Sequence, residues 1–119
     1  VGPELARVYR HARRLCPIEV VLIDDEDIVP LDAAVLRDPG PPITLLSVGR
    51  LEEEKNPLLL ADILSELLAR GRAARLVICG EGALSEALDQ RLRDLGVADC
   101  ARRLGYVTFG EELLALYRQ

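Results

Sequence analysis

Two cations, Arg50 and Lys55, stand just past the apolar run Ile43-Thr44-Leu45-Leu46-Ser47-Val48, which Gly49 ends, and just ahead of Asn56-Pro57. From Pro57 onward Leu60, Ile63, Leu64, Leu67 and Leu68 recur at helical spacing, so Asn56 is expected at the N-cap and Pro57 at the first helical position. A strand, a short loop and a helix start then follow one another. The helix start offers unpaired backbone N–H groups and a positive dipole end, and Arg50 and Lys55 would set full charges beside it. That is chemistry suited to holding a phosphate. The same residues also allow a plainer arrangement, in which both cations are solvated or pair with Glu52, Glu53 and Glu54. Surface ion pairs of that kind are common and weak. The local pattern leaves both readings open.

A second candidate lies further on, where Gly80-Glu81-Gly82 follows the strand-like Ala74-Arg75-Leu76-Val77-Ile78-Cys79 and precedes another helical stripe. Glycines there let the backbone turn tightly and approach a ligand without a side chain in the way. A tight turn with no ligand explains Gly-x-Gly equally well. Gly105 ends a third short strand and is followed by Tyr106 and Val107. Tyr106 could stack on a ring, or it could belong to core or rim as most aromatics do.

The elements that would position these residues alternate helix and strand, the pattern of an α/β protein with a parallel sheet flanked by helices, Rossmann-like in type. Residues 4–15 read as a helix with Leu5, Val8, Tyr9, Ala12, Leu15 and Cys16 on one face, ended by Pro17. Residues 18–23 read as a strand, followed by the acids Asp24, Asp25, Glu26 and Asp27, which lack the alternation and glycine turn of a calcium loop. Residues 28–42 hold Pro30, Pro39, Gly40, Pro41 and Pro42 and read as a linker, so a domain is expected to begin near Pro42. Three units then follow. A strand at 43–48 leads to a helix at 57–70 closed by Gly71. A strand at 74–79 leads to a helix at about 83–95, with Leu84, Leu88, Leu92 and Leu95 as its stripe and Gly96 after it. A strand near 101–104 leads to a helix at about 110–118. The first of these strands is apolar enough to be read as buried on both faces. Open sheets of this type bind ligands at the C-terminal strand ends, where Gly49, Gly80 and Gly105 fall.

Composition narrows the chemistry. The chain has 119 residues, half of them hydrophobic, which suffices for a core of one domain. With one Phe, three Tyr and no Trp, and a net charge of −5, it offers neither base-stacking platforms nor a basic face, and no nucleic-acid partner is expected. Cys16, Cys79 and Cys100 are too few and too scattered for a disulfide framework or a zinc site, and read as free thiols in a reducing, cytoplasmic compartment. No apolar run reaches the length of a membrane span. The chain starts with Val and contains no Met, and is read as a piece of a longer protein.

Taken together, Gly49-Arg50-Leu51 with Glu54-Lys55, Leu76-Val77-Ile78-Cys79-Gly80-Glu81-Gly82 with Leu84, Leu95-Gly96-Val97, Leu104-Gly105-Tyr106-Val107 and Leu113-Leu114-Ala115-Leu116-Tyr117 resemble a known family. They look like the first half of the C-terminal, nucleotide-sugar-binding domain of family-4-type retaining glycosyltransferases, also called group 1 glycosyl transferases. The resemblance covers roughly residues 43–119, and its strength lies in the order and spacing of the motifs together. It implies two Rossmann-like domains facing a cleft, the GT-B arrangement. On this likeness residues 43–119 are the N-terminal half of the donor-binding domain, and residues 1–42 are the end of the acceptor-side domain with the interdomain passage.

By the same likeness Arg50 and Lys55 would contact the diphosphate and stabilise the charge developing on the leaving nucleotide, without a metal or other cofactor. Gly49, Gly80, Glu81 and Gly82 would line the donor cleft, and Tyr106 and Val107 would lie against the base. Many relatives have Gly after the motif lysine, where this chain has Asn56-Pro57. The family's paired-glutamate motif would lie past Gln119, so the fragment by itself is expected not to turn over substrate. The partners implied are a nucleotide sugar and an acceptor; base, sugar and acceptor are not specified. The full-length protein could work at the membrane surface. Two further readings accompany this one, a non-catalytic nucleotide-binding α/β module and a sugar-nucleotide epimerase of related architecture. A partly built sheet also exposes an edge, so self-association is expected, with Leu113, Leu114 and Leu116 on a helix that has little to pack against.

Overall fold

The computed structural model describes residues 7–14, 25, 28–35, 40 and 42–118. The chain divides into two compact units, Val1–Asp38 and Pro39–Gln119. In the first unit, Arg7 and Val8 are helical, but Tyr9–His11 form a turn, with the Ala12 N–H donating to the Tyr9 carbonyl at 2.8 Å. The helix expected through residue 15 is therefore not present over these residues. Val8 and Tyr9 are 69% and 56% exposed, so these two members of the expected stripe add little burial to offset the entropy of ordering a helix. The strand expected at 18–23, and all of the acidic cluster except Asp25, lie outside the described residues. The stretch read as linker contains a short helix, α1 (Leu31–Val35), in which Pro30 starts the first turn and accepts the Ala34 N–H at 2.9 Å.

The second unit carries β1 (Ile43–Val48), α2 (Leu58–Ala69), β2 (Ala74–Cys79), α3 (Ser85–Asp94), β3 (Ala101–Gly105) and α4 (Glu111–Tyr117). The strands form one parallel sheet in the order β1-β2-β3. This is the expected Rossmann-like α/β architecture. Residues opposite each other in register share a face, so Leu45 and Leu76 stand together, as do Ser47 and Ile78. On that face Leu76 and Ile78 join Ala61 and Leu64 of α2 and Leu88 and Leu92 of α3 in the core, all at most 4% exposed. Full burial of one such Leu contributes about 1.5–3 kcal/mol, so this central strand with its two helices holds most of the fold's stability.

Both helices stop at glycine. The Arg72 N–H reaches the Leu67 carbonyl around Gly71, and the Val97 N–H reaches the Leu92 carbonyl around Gly96, each at 3.0 Å. Those pairs satisfy carbonyls that the helix end would otherwise leave bare.

Two expectations are corrected here. β1 is half-buried rather than buried on both faces, with Val48 41% exposed, and among the described residues it has one strand neighbour. On α4, Leu113 is 6% exposed, so it does have a packing partner surface, and Leu116 lines a cleft with Val77 and Leu104 on the sheet face away from the main core.

Candidate functional site

Val48 pairs with Cys79 and Cys79 with Gly105, so the three strands end level at their C-terminal edge. The ladder continues one residue further, with the Gly49 N–H donating to the Cys79 carbonyl at 2.9 Å and the Gly80 N–H to the Gly105 carbonyl at 2.7 Å. Beyond that the loops after β1 and β2 are joined to each other. Leu51 N–H donates to the Glu81 carbonyl at 3.0 Å, and Leu84 N–H to the Leu51 carbonyl at 2.9 Å. Buried backbone groups must find such partners, and here each loop supplies the other's.

The glycines of Gly80-Glu81-Gly82 serve this joint. A Cβ on Gly80 would lie 1.8 Å from the Gly49 carbonyl oxygen, and one on Gly82 would lie 2.5 Å from the Leu51 carbonyl oxygen. The sequence pattern suggested open backbone for a ligand to approach. What approaches both glycines is the neighbouring loop.

Two clefts border the joint. The first, of about 280 Å³, is lined by Val48, Gly49, Arg50, Cys79, Gly80, Glu81, Tyr106 and Val107. The second, of about 160 Å³, is lined by Ser47, Val48, Gly49, Arg50, Leu51, Lys55, Pro57 and Leu60. Arg50 borders both, whereas Lys55 borders only the second and Gly82 neither. Six sequence-nominated residues thus share the first cleft, and the two cations meet across the second. Tyr106 is 74% exposed, so it is a rim residue with a free ring face and not part of the core.

The cations differ in their surroundings. Arg50 Nη2 donates to Glu54 Oε1 at 2.5 Å, the plainer pairing that the loop's acids allowed. Both side chains are mostly exposed, which places the pair among those contributing well under about 1 kcal/mol. Lys55 is exposed and makes no ion pair among the described residues.

Asn56 does not cap α2 through its side chain. It ends a 3-10 turn, Glu53–Lys55, in the left-handed region at φ 46°, and Pro57 occupies the N-cap. Asn is the non-glycine residue that best tolerates that conformation, which accounts physically for its place at the end of this turn.

Three residues were missed in the sequence. Val48 and Cys79 close the wall of the first cleft, and strand register would have placed them there. Cys79 is 2% exposed, and burial, together with the Glu112 carboxylate nearby, pushes its thiol pKa upward. It stays protonated at neutral pH. The third is Glu52, whose Oε1 accepts the Ala83 N–H at 3.2 Å, so that a carboxylate of the first loop already lies at the start of α3. No sequence signal marked that long-range contact.

Comparison with known families adds one finding. The family description "Glycosyl transferases group 1" matches residues 30–119. No curated protein matches the chain.

Proposed function

Because the chain belongs to the group 1 glycosyl transferases, we propose that it is the donor-binding part of a retaining enzyme of the family-4 type. That enzyme would move a sugar, hexose by preference, from a nucleoside diphosphate sugar to an acceptor. The observation that carries this is the placing of Arg50 on the shared wall of two clefts, with Lys55 on the second. As the bond from the anomeric carbon to the diphosphate breaks, negative charge grows on the leaving phosphate oxygen. Two cations held at the strand ends would stabilise that charge in the transition state more than in the ground state, which is what accelerates the step. On this reading the Arg50–Lys55 side receives the diphosphate, Tyr106 and Val107 flank the base, and no metal is required.

Residues 43–119 then form the first half of the C-terminal domain of a two-domain GT-B enzyme, and residues 1–42 the end of the acceptor-side domain with its linker. The paired glutamates that complete the donor site, and most of the acceptor-side domain, would come from outside this chain. The 119 residues alone would bind donor without transferring it, since orientation of both reactants needs the complete cleft. The sheet edge of such a half-domain also makes self-association part of this proposal.

The test is a titration of the isotope-labelled chain with UDP, GDP and ADP, repeated with Arg50→Ala and Lys55→Ala. The expected result is amide shifts concentrated at Gly49–Lys55, Gly80–Gly82 and Tyr106–Val107, with each substitution weakening binding by about tenfold or more, as loss of a charge-assisted phosphate contact should. Shifts elsewhere, or binding indifferent to both substitutions, would overturn it.

A further inference from the structure

We propose that Glu54 is a positioning residue for the donor site. Its carboxylate holds the Arg50 guanidinium until a diphosphate displaces it, and so sets how tightly donor is bound and how readily the nucleoside diphosphate leaves. The inference rests on the diphosphate reading given above.

Two claims fall on the Arg50 side chain at the same place. It borders both clefts, yet its Nη2 is held by Glu54 at 2.5 Å. A guanidinium recognises phosphate best as a two-pronged fork, and Nη2, the nitrogen that Glu54 holds, belongs to both of its fork edges, so a diphosphate has to take or share it. Binding therefore exchanges one anion for another. The exchange is easy, because the Arg50 and Glu54 side chains are 71% and 58% exposed and water can receive the released carboxylate. The neighbouring acid behaves differently. Glu52 ties the first loop to the start of α3 through the Ala83 N–H and lies against Gly82, so its charge is engaged in joining the loops. Two glutamates of one loop thus divide into one that fastens the loop and one that competes for the ligand's cation.

Removing the Glu54 charge should free Arg50 for the diphosphate. The affinity for UDP, GDP or ADP is measured by calorimetry at low salt for the unaltered chain, Glu54→Gln, Glu52→Gln, Arg50→Ala and the Arg50→Ala/Glu54→Gln pair, with uridine, guanosine and adenosine as uncharged counterparts. Glu54→Gln is expected to tighten diphosphate binding about threefold, shrinking as salt rises and absent for the nucleosides. On the Arg50→Ala background the gain should fall below about twofold, since coupled residues act through each other. If the unaltered chain binds and Glu54→Gln binds no better, the Glu54 proposal fails while the donor reading stands. A gain of equal size in Glu52→Gln, or one undiminished by Arg50→Ala, reduces the effect to bulk loop charge and also overturns it. No binding by either the unaltered chain or Glu54→Gln overturns both.

Discussion

At Arg50 the sequence offered two roles, ion pair and phosphate ligand, and the structure has the first in place beside the clefts that would use the second. Cys79 is the converse case. Its type announced nothing beyond a free thiol, yet it stands buried on the cleft wall beside the acid Glu112, both of which disfavour the thiolate. With its folded pKa raised, Cys79 contributes stability that is fully present below the ordinary thiol pKa and is lost as pH rises through the folded value. Above about pH 8.5 the unfolded chain releases the proton first, so unfolding is favoured there. Denaturant midpoints compared between pH 7 and 10 should therefore fall more steeply for the unaltered chain than for Cys79→Val, a window set by ordinary thiol ionisation. Parallel curves would show that the thiol ionises alike in the folded and unfolded states, its folded pKa not raised.

The elements themselves were legible because their signals are local. The runs 43–48 and 74–79 became β1 and β2 with the same bounds, and Gly71 and Gly96 closed their helices as read. The joint between the first two loops was not legible, since it pairs Leu51 with Glu81 and Glu52 with Ala83 across some thirty residues. That joint makes Gly80 the most sensitive position of the edge. Gly80→Ala should cost about 2–4 kcal/mol of unfolding free energy, because its Cβ meets a backbone oxygen that cannot move without breaking the ladder. Asn56→Gly, at a left-handed position, should be within a few tenths of a kcal/mol of neutral or slightly stabilising. Equal effects at the two positions in thermal or denaturant unfolding would show that the loops relax freely and the joint is not rigid.

Across the whole molecule the described sheet has three strands, with β1 and β3 each paired on one side only. Backbone donors and acceptors on such edges invite another strand. The apolar residues Leu59 and Ile63 on α2, 49% and 41% exposed, add surface that association could bury. Sedimentation equilibrium from micromolar to millimolar chain should show an average mass rising above that of one chain, more steeply at high salt where a net charge of −5 repels less. A mass constant across that range would refute self-association. Among the described residues no helix is long and apolar enough to cross a membrane.

What the residues determined alone was the order of strands and helices, their ends, and the gathering of Gly49, Arg50, Gly80, Glu81, Tyr106 and Val107 at one edge, because period, caps and breakers act over a few residues. Tertiary structure decided the rest. It split Lys55 from the first cleft, brought Glu52 to α3 and turned the glycine pattern into a seat for a neighbouring loop. Those outcomes depend on which backbone oxygen or carboxylate arrives from elsewhere in the chain. No local rule of spacing fixes that; only the packing of one loop against another does.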